Sequence, residues 1–240
     1  MTKVKKGIDI MFELFKKKAS NKEVKNEDLS AVFAERKISL EKHIPDSLNV
    51  KKARVIFCID QSGSMWGRYD RGEVQRVVER LFPVALKFDD DGKMKCCSFN
   101  TEAKRHPDID INNIRGYVDN NIECDGGTSY YPVMRTVTKI VNVPAYVIFI
   151  TDGDNQDKNV SGKFIREISD KPIFWKFIGI GNERFTFLEE LDDMSGRVID
   201  NADFVKIEDI SNISDDELYK LLMQEFSEWW AEAEKKGIIK

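Results

Sequence analysis

The 240-residue sequence predicts an α/β protein built on a doubly wound, mainly parallel sheet. Three observations point there. Short apolar runs that read as strands buried on both faces recur along the chain. Segments of helical periodicity lie between them. Two of the runs end in clusters of small polar residues, at the edge where such sheets hold ligands.

The elements follow in order. Ile8 to Lys18 reads as an amphipathic helix with Ile8, Met11, Leu14 and Phe15 as its stripe, and Asp28 to Glu35 as a second. Fifty residues are too few to bury a core of their own. Residues 1–50 are therefore expected to be a helical extension and lead-in to a domain spanning 51–240.

Val55 to Ile59 is the first strand. Asp70 to Phe88 has helical period, with Val74, Val77, Val78, Leu81, Phe82 and Ala85 on one stripe. Asp70 and Glu73 have capping-box spacing, and Pro83 is expected to kink or shorten the helix. Met94 to Phe99 is the second strand, with Ala103 to Arg105 turning back as a short edge strand. Ile109 to Asn121 and Pro132 to Val141 read as helices, proline suiting a first turn. Ala145 to Ile150 is a strand, Val160 to Ser169 a helix, Pro172 to Ile178 a strand, Phe185 to Leu191 a helical turn or two, and Phe204 to Ile207 a short strand. Ser214 and Glu217 form a capping box for one last helix, with Leu218, Leu221, Leu222 and Trp229 as its stripe and Gly237 as its stop. Trp229 and Trp230 are expected at its core and surface sides.

The formal charge of −4 argues against a nucleic-acid partner. No apolar run approaches the roughly 20 residues that span a bilayer, and no secretory signal is visible. Cys58, Cys96 and Cys97 lie in strand-like runs, and Cys124 in a polar loop. No cysteine pair has zinc spacing, and thiols of this kind fit the cytoplasm.

Asp60-Gln61-Ser62-Gly63-Ser64-Met65 follows the first strand directly. It places one carboxylate and two hydroxyls within five residues. Thr151-Asp152-Gly153-Asp154 follows the strand from Ala145, and Cys124-Asp125-Gly126-Gly127-Thr128-Ser129 precedes the helix near Pro132. At a switch point these segments reach one crevice, so Asp60, Ser62, Ser64, Thr128 and Asp152 are expected to converge. Two carboxylates balance a divalent charge, and carboxylate with hydroxyl oxygens suits Mg²⁺ or Mn²⁺ better than zinc. Mg²⁺ usually keeps waters, so such a site leaves a position open for an outside oxygen, such as a partner protein's Asp or Glu. Trp66, Arg68, Tyr69, Tyr130 and Tyr131 flank the metal segments. They form a partner-binding rim if they face outward and core if they face inward. Asp89-Asp90-Asp91-Gly92 reads as a solvated turn.

The D-x-S-G-S-M, G-G-T-S and T-D-G-D segments together resemble the metal-ion-dependent adhesion site of von Willebrand factor type A domains. The resemblance covers about residues 53 to 210. Residues 72–80, 86–92 and 172–181 resemble the bacterial (TerF-like) branch tied to tellurium resistance and stress response; the capped C-terminal helix and the Ile38-Ser39-Leu40-Glu41-Lys42 lead-in also fit. The resemblance implies a six-stranded sheet with one antiparallel edge strand and a non-enzymatic module that binds protein through its metal. It implies direct ligation by Ser62, Ser64 and Thr128, and ligation by Asp60 and Asp152 directly or through water. The chain has no room for the β-rich stress-response domain of the branch's longer members, which leaves a shared ion-resistance activity open.

The alternative is a Mg²⁺-dependent hydrolase or phosphoryl-transfer enzyme using the same site. It needs a nucleophile or base. Asp125, Asp154 and Cys124 are the candidates, and the chain has no Walker A loop, no G-x-S-x-G and no histidine near the site.

Overall fold

Val55, Phe57 and Ile59 point to one side of a sheet and Ile56 and Cys58 to the other, and both sides are covered. This is why the strand reads as an unbroken apolar run. The computed structural model describes residues 29–240. The expected helix from Ile8 to Lys18 lies outside them.

Six strands form one sheet: β1 (Arg54–Asp60), β2 (Met94–Phe99), β3 (Ala103–Ile109), β4 (Ala145–Thr151), β5 (Ile173–Ile180) and β6 (Ala202–Ile207). Their order is β3-β2-β1-β4-β5-β6. β3 runs antiparallel to β2 on the edge, and all other pairs are parallel. Every residue of β4 and β5 is buried. The sequence order reverses between β1 and β4, which opens the crevice beyond their carboxyl ends.

Helices cover both faces. On one side lie α1 (Leu29–Glu41), the short α2 (Asp46–Asn49), α3 (Trp66–Asp70), α4 (Glu73–Phe88) and α5 (Tyr117–Asn121). On the other lie α6 (Tyr131–Ile140), α7 (Lys158–Glu167) and α8 (Thr186–Asp192). α9 (Asp215–Met223) and α10 (Phe226–Lys235) return to the first side. Phe33, Leu40 and Leu48 enter that main core. Asp215 ties α1 to the domain, accepting from Arg36 Nε at 3.0 Å and from Arg80 Nε at 2.7 Å. No helix among the described residues is long and apolar enough to cross a membrane.

Several elements differ from expectation. Asp70 ends α3 instead of capping α4, whose N-cap is Gly72 with φ +66°. Glu73 instead takes up Arg68 and Arg71. α4 runs through the buried Pro83 to Phe88, because its apolar face is packed along its whole length and outweighs the missing backbone bond. β3 continues to Ile109, and only Tyr117–Asn121 of the expected helix from Ile109 is helical. Asp89 is buried, accepting from Val55 N at 3.0 Å and facing Arg54, so this turn is braced, not merely solvated. The last helix breaks at Gln224–Glu225, and Trp230 is buried like Trp229.

Candidate metal centre

Asp60 closes β1 and Asp152 follows β4, so neighbouring strands deliver both carboxylates to the crevice. Asp60 is fully buried. Its Oδ1 accepts Ser62 N–H at 2.8 Å and its Oδ2 accepts the Thr151 hydroxyl at 2.6 Å. Ser62 Oγ lies 3.1 Å from Ser64 Oγ, and Ser64 Oγ donates to Asp152 Oδ1 at 2.8 Å. A chain of oxygens therefore crosses the crevice from the first metal segment to the second.

The third segment is fastened to the first. Gly63 N donates to Gly126 O (3.0 Å), Asp125 N to Gln61 O (2.9 Å), and Ser129 N to Asn100 O (2.7 Å). Gly126 has φ +72°, a left-handed conformation that favours glycine, and a Cβ at Gly127 would push aside the end of the Gln156 side chain. Thr128 does not cap the helix after it. The Asp157 carboxylate takes the Tyr130 and Tyr131 N–H groups, both at 2.9 Å, which leaves the Thr128 side chain at the cleft shared with Ser64 and Asp152.

Burial pushes the Asp60 carboxyl up to about 6, against hydrogen bonds from Ser62 and Thr151; Asp152 adds to the rise. Asp152 is raised too, chiefly by burial, with Ser64 and Arg68 opposing. Arg68 Nε stands 3.9 Å from Asp152 Oδ2. Two buried carboxylates under-supplied with positive charge are what a divalent cation relieves. The donor set is oxygen throughout, so these residues fit Mg²⁺ or Mn²⁺.

The flanking residues divide. Trp66 is 64% exposed beside the site. Arg68 lines the cleft but is engaged, donating to Glu73 Oε2 and the Ile180 carbonyl, both at 3.1 Å. Tyr131 is half-buried, edge-on to Phe164. Tyr69 faces inward, its hydroxyl donating to Asp60 O at 2.8 Å. Tyr130 is fully buried, its hydroxyl donating to Gly153 O at 2.5 Å, so it braces the loop from beneath and is no part of a rim. Thr151, which sequence reasoning passed over, orients Asp60; its place beside Asp152 in T-D-G-D was the available signal.

The enzyme candidates are also placed. Asp125 accepts from Asn100 Nδ2 at 2.5 Å, and Asp154 is held by Lys158. The Cys124 thiol is pushed up to about 12, first by burial and then by Asp60, Asp152 and Asp125, so it keeps its proton.

A family profile described as the von Willebrand type A domain found in the TerF C terminus matches residues 52–239. The chain belongs to this TerF-like family of von Willebrand type A domains. The TerF-like chain is 41% identical over 216 residues to the uncharacterized protein YcbR of Bacillus subtilis (strain 168), covering 85% of this chain and 87% of that one. Among solved structures, the von Willebrand factor type A protein from Catenulispora acidiphila aligns with TM-score 0.53 and 16% identity, over 72% of this chain and 42% of that chain. Proximal thread matrix protein 1 of the mussel byssus, with a zinc-occupied metal-ion-dependent adhesion site, aligns with TM-score 0.53 and 18% identity, over 72% and 46%. The TerF-like chain thus spans less than half the length of these two structures, and they share its fold. Domains of this family commonly form metal-dependent protein-interaction sites and are generally non-enzymatic.

A separate acidic group lies elsewhere. Carboxylate oxygens of Asp192, Asp203 and Glu225 come within 4.8 Å of one another beside β6, and Asp203 pairs with the buried Lys176.

Proposed function

We propose that this TerF-like domain is a cytoplasmic, Mg²⁺- or Mn²⁺-dependent protein-binding module. Asp60, Ser62, Ser64, Thr128 and Asp152 hold the ion, and the bound ion offers an open position to an Asp or Glu of the partner. The observation that carries this is the oxygen chain Ser62–Ser64–Asp152, which joins two strand ends across the switch-point crevice. The mussel protein of the same fold holds zinc in a metal-ion-dependent adhesion site, which supports metal binding here; carboxylate and hydroxyl donors favour harder ions. Exposed Trp66 supplies an aromatic contact for the partner, with Arg68 and Tyr131 beside it. Four free cysteines, three of them buried, suit a reducing compartment. A role in stress or toxic-ion response rests on the branch resemblance alone.

Two measurements test this reading. At a Mg²⁺ concentration 100 times its dissociation constant, unfolding free energy rises by about 2.7 kcal/mol, because the ion binds the folded chain. Asp60→Ala abolishes the rise. Pulldown from the native host loses its partner with EDTA and with Asp60→Ala; undiminished capture in both arms removes metal-mediated recognition.

A further inference from the structure

β5 ends at Ile180, and Gly181, with φ +104°, turns the chain into the exposed Asn182-Glu183-Arg184. These three residues line a cleft of about 850 Å³ together with Ser64, Thr128 and Asp152. The turn itself is anchored. Gly181 N donates to Ile207 O at 3.0 Å, and the Glu183 carbonyl accepts from Lys206 Nζ at 3.1 Å. The Glu183 side chain is not held. Three carboxylates line the cleft. Asp152 takes the Ser64 hydroxyl, and Asp154 is held by Lys158. The Glu183 carboxylate makes no hydrogen bond or ion pair among the described residues.

A free carboxylate on an anchored turn, in the same cleft as the metal donors, has an obvious electrostatic destination. Mg²⁺ and Mn²⁺ take six oxygens, and the five side chains named above leave a position to fill. A carboxylate tethered in the same cleft reaches that position at far higher effective concentration than one on another molecule.

We infer that Glu183 is a built-in carboxylate ligand, closing the metal's open position in the partner-free protein and giving way to the partner's Asp or Glu. The inference rests on the metal-centre reading proposed above. It makes the site selective. A lone small carboxylate cannot displace a tethered one, whereas a protein that also engages Trp66 and the cleft wall can.

The test uses Mn²⁺ as its probe, with the full chain. Electron paramagnetic resonance follows Mn²⁺ binding, and line broadening in ¹⁷O-water counts the waters on the bound ion. Glu183→Gln is expected to weaken Mn²⁺ binding roughly tenfold and to add one coordinated water. The metal-free unfolding curve should superimpose on the wild type, because the side chain is exposed and the change isosteric. An unchanged affinity and water count in Glu183→Gln overturns the role of Glu183 while leaving the metal centre standing. Absence of Mn²⁺ binding by the wild type, or equal binding by Asp60→Ala, overturns both.

Discussion

Lys176→Met is expected to lower the unfolding free energy by about 3–5 kcal/mol near neutral pH, the usual cost of removing one partner of a buried ion pair. Lys176 sits inside β5 with no exposure and pairs with the equally buried Asp203 of β6. Burial works against both charges, lowering the lysine and raising the aspartate, and each is kept ionised largely by the other. Asp192 and Glu225 crowd the same place, so a single ammonium serves three carboxylates. Burial, with neighbouring carboxylates adding, pushes Asp192 up to about 6 and Glu225 up to about 7. The sign of the pH dependence follows. These folded-state values lie above the ordinary 3.8 and 4.5, so the folded chain binds more protons than the unfolded one. The stability these groups contribute is full below about pH 4 and is lost as pH rises through 6 to 7. Without Lys176 the carboxylates repel unopposed and the loss steepens. Urea unfolding at pH 5 and pH 7.5 checks this: the deficit of Lys176→Met should be clearly larger at pH 7.5. An equal deficit at both values, or one under about 1 kcal/mol, would show that the lysine is a packing residue whose charge is immaterial.

Nothing in the sequence around Lys176 announces that cluster. It interrupts an apolar run that reads as a buried strand, and its partners come from three other elements. β1, β4 and β5 were legible because strands covered on both faces have only one kind of pattern. Four of the five expected metal donors, Asp60, Ser62, Ser64 and Asp152, stand where β1 and β4 stop, and Thr128 comes from the loop between α5 and α6. β3 was legible only in part. Lys104, Arg105 and Pro107 of this edge strand face solvent and leave no apolar alternation to read. Ile109, Ile114 and Tyr117 fall within the segment that reads as a helix, yet they are the end of a strand, a turn and the start of α5, joined only by the core they share. Orientation next to the site was illegible. Tyr130 and Tyr131 are neighbours in sequence, and what turns Tyr130 inward is the Gly153 carbonyl, 23 residues away. Glu183 gave no signal either, because its relevance depends on the turn after β5 facing the loop after β4.

The break in the C-terminal helix leads to the second large effect. Ser214 accepts from Glu217 N at 3.1 Å as the capping box requires, and the apolar stripe continues past Met223. Local preference therefore favours one helix. The chain instead extends at Gln224 and places Glu225 at φ +61°, a left-handed conformation that costs a non-glycine residue about 1–2 kcal/mol. The break turns Phe226 into the core. Its ring lies 4.6 Å from Tyr146, 5.5 Å from Phe174, 5.6 Å from Phe88 and 5.7 Å from Trp229, with Trp230 edge-on at 5.8 Å. The Tyr146 hydroxyl donates to the Leu222 carbonyl, so the broken end of α9 is also satisfied. Burying Phe226 among five aromatic rings offsets the strain at Glu225 and the lost helical bonds. Phe226→Ala should then cost about 3–5 kcal/mol, the range for emptying a large aromatic site. For a chain of this size that is a fall in Tm on the order of 10 °C. Glu225→Gly should act in the opposite direction. It relieves the left-handed strain and removes one carboxylate from the crowd around Lys176, raising stability at pH 7.5 by about 1 kcal/mol. If packing of Phe226 were incidental and the break merely a local irregularity, Phe226→Ala would let α9 and α10 fuse. The helical circular-dichroism signal would then grow with little loss of stability, an outcome opposite in both readouts to the one expected.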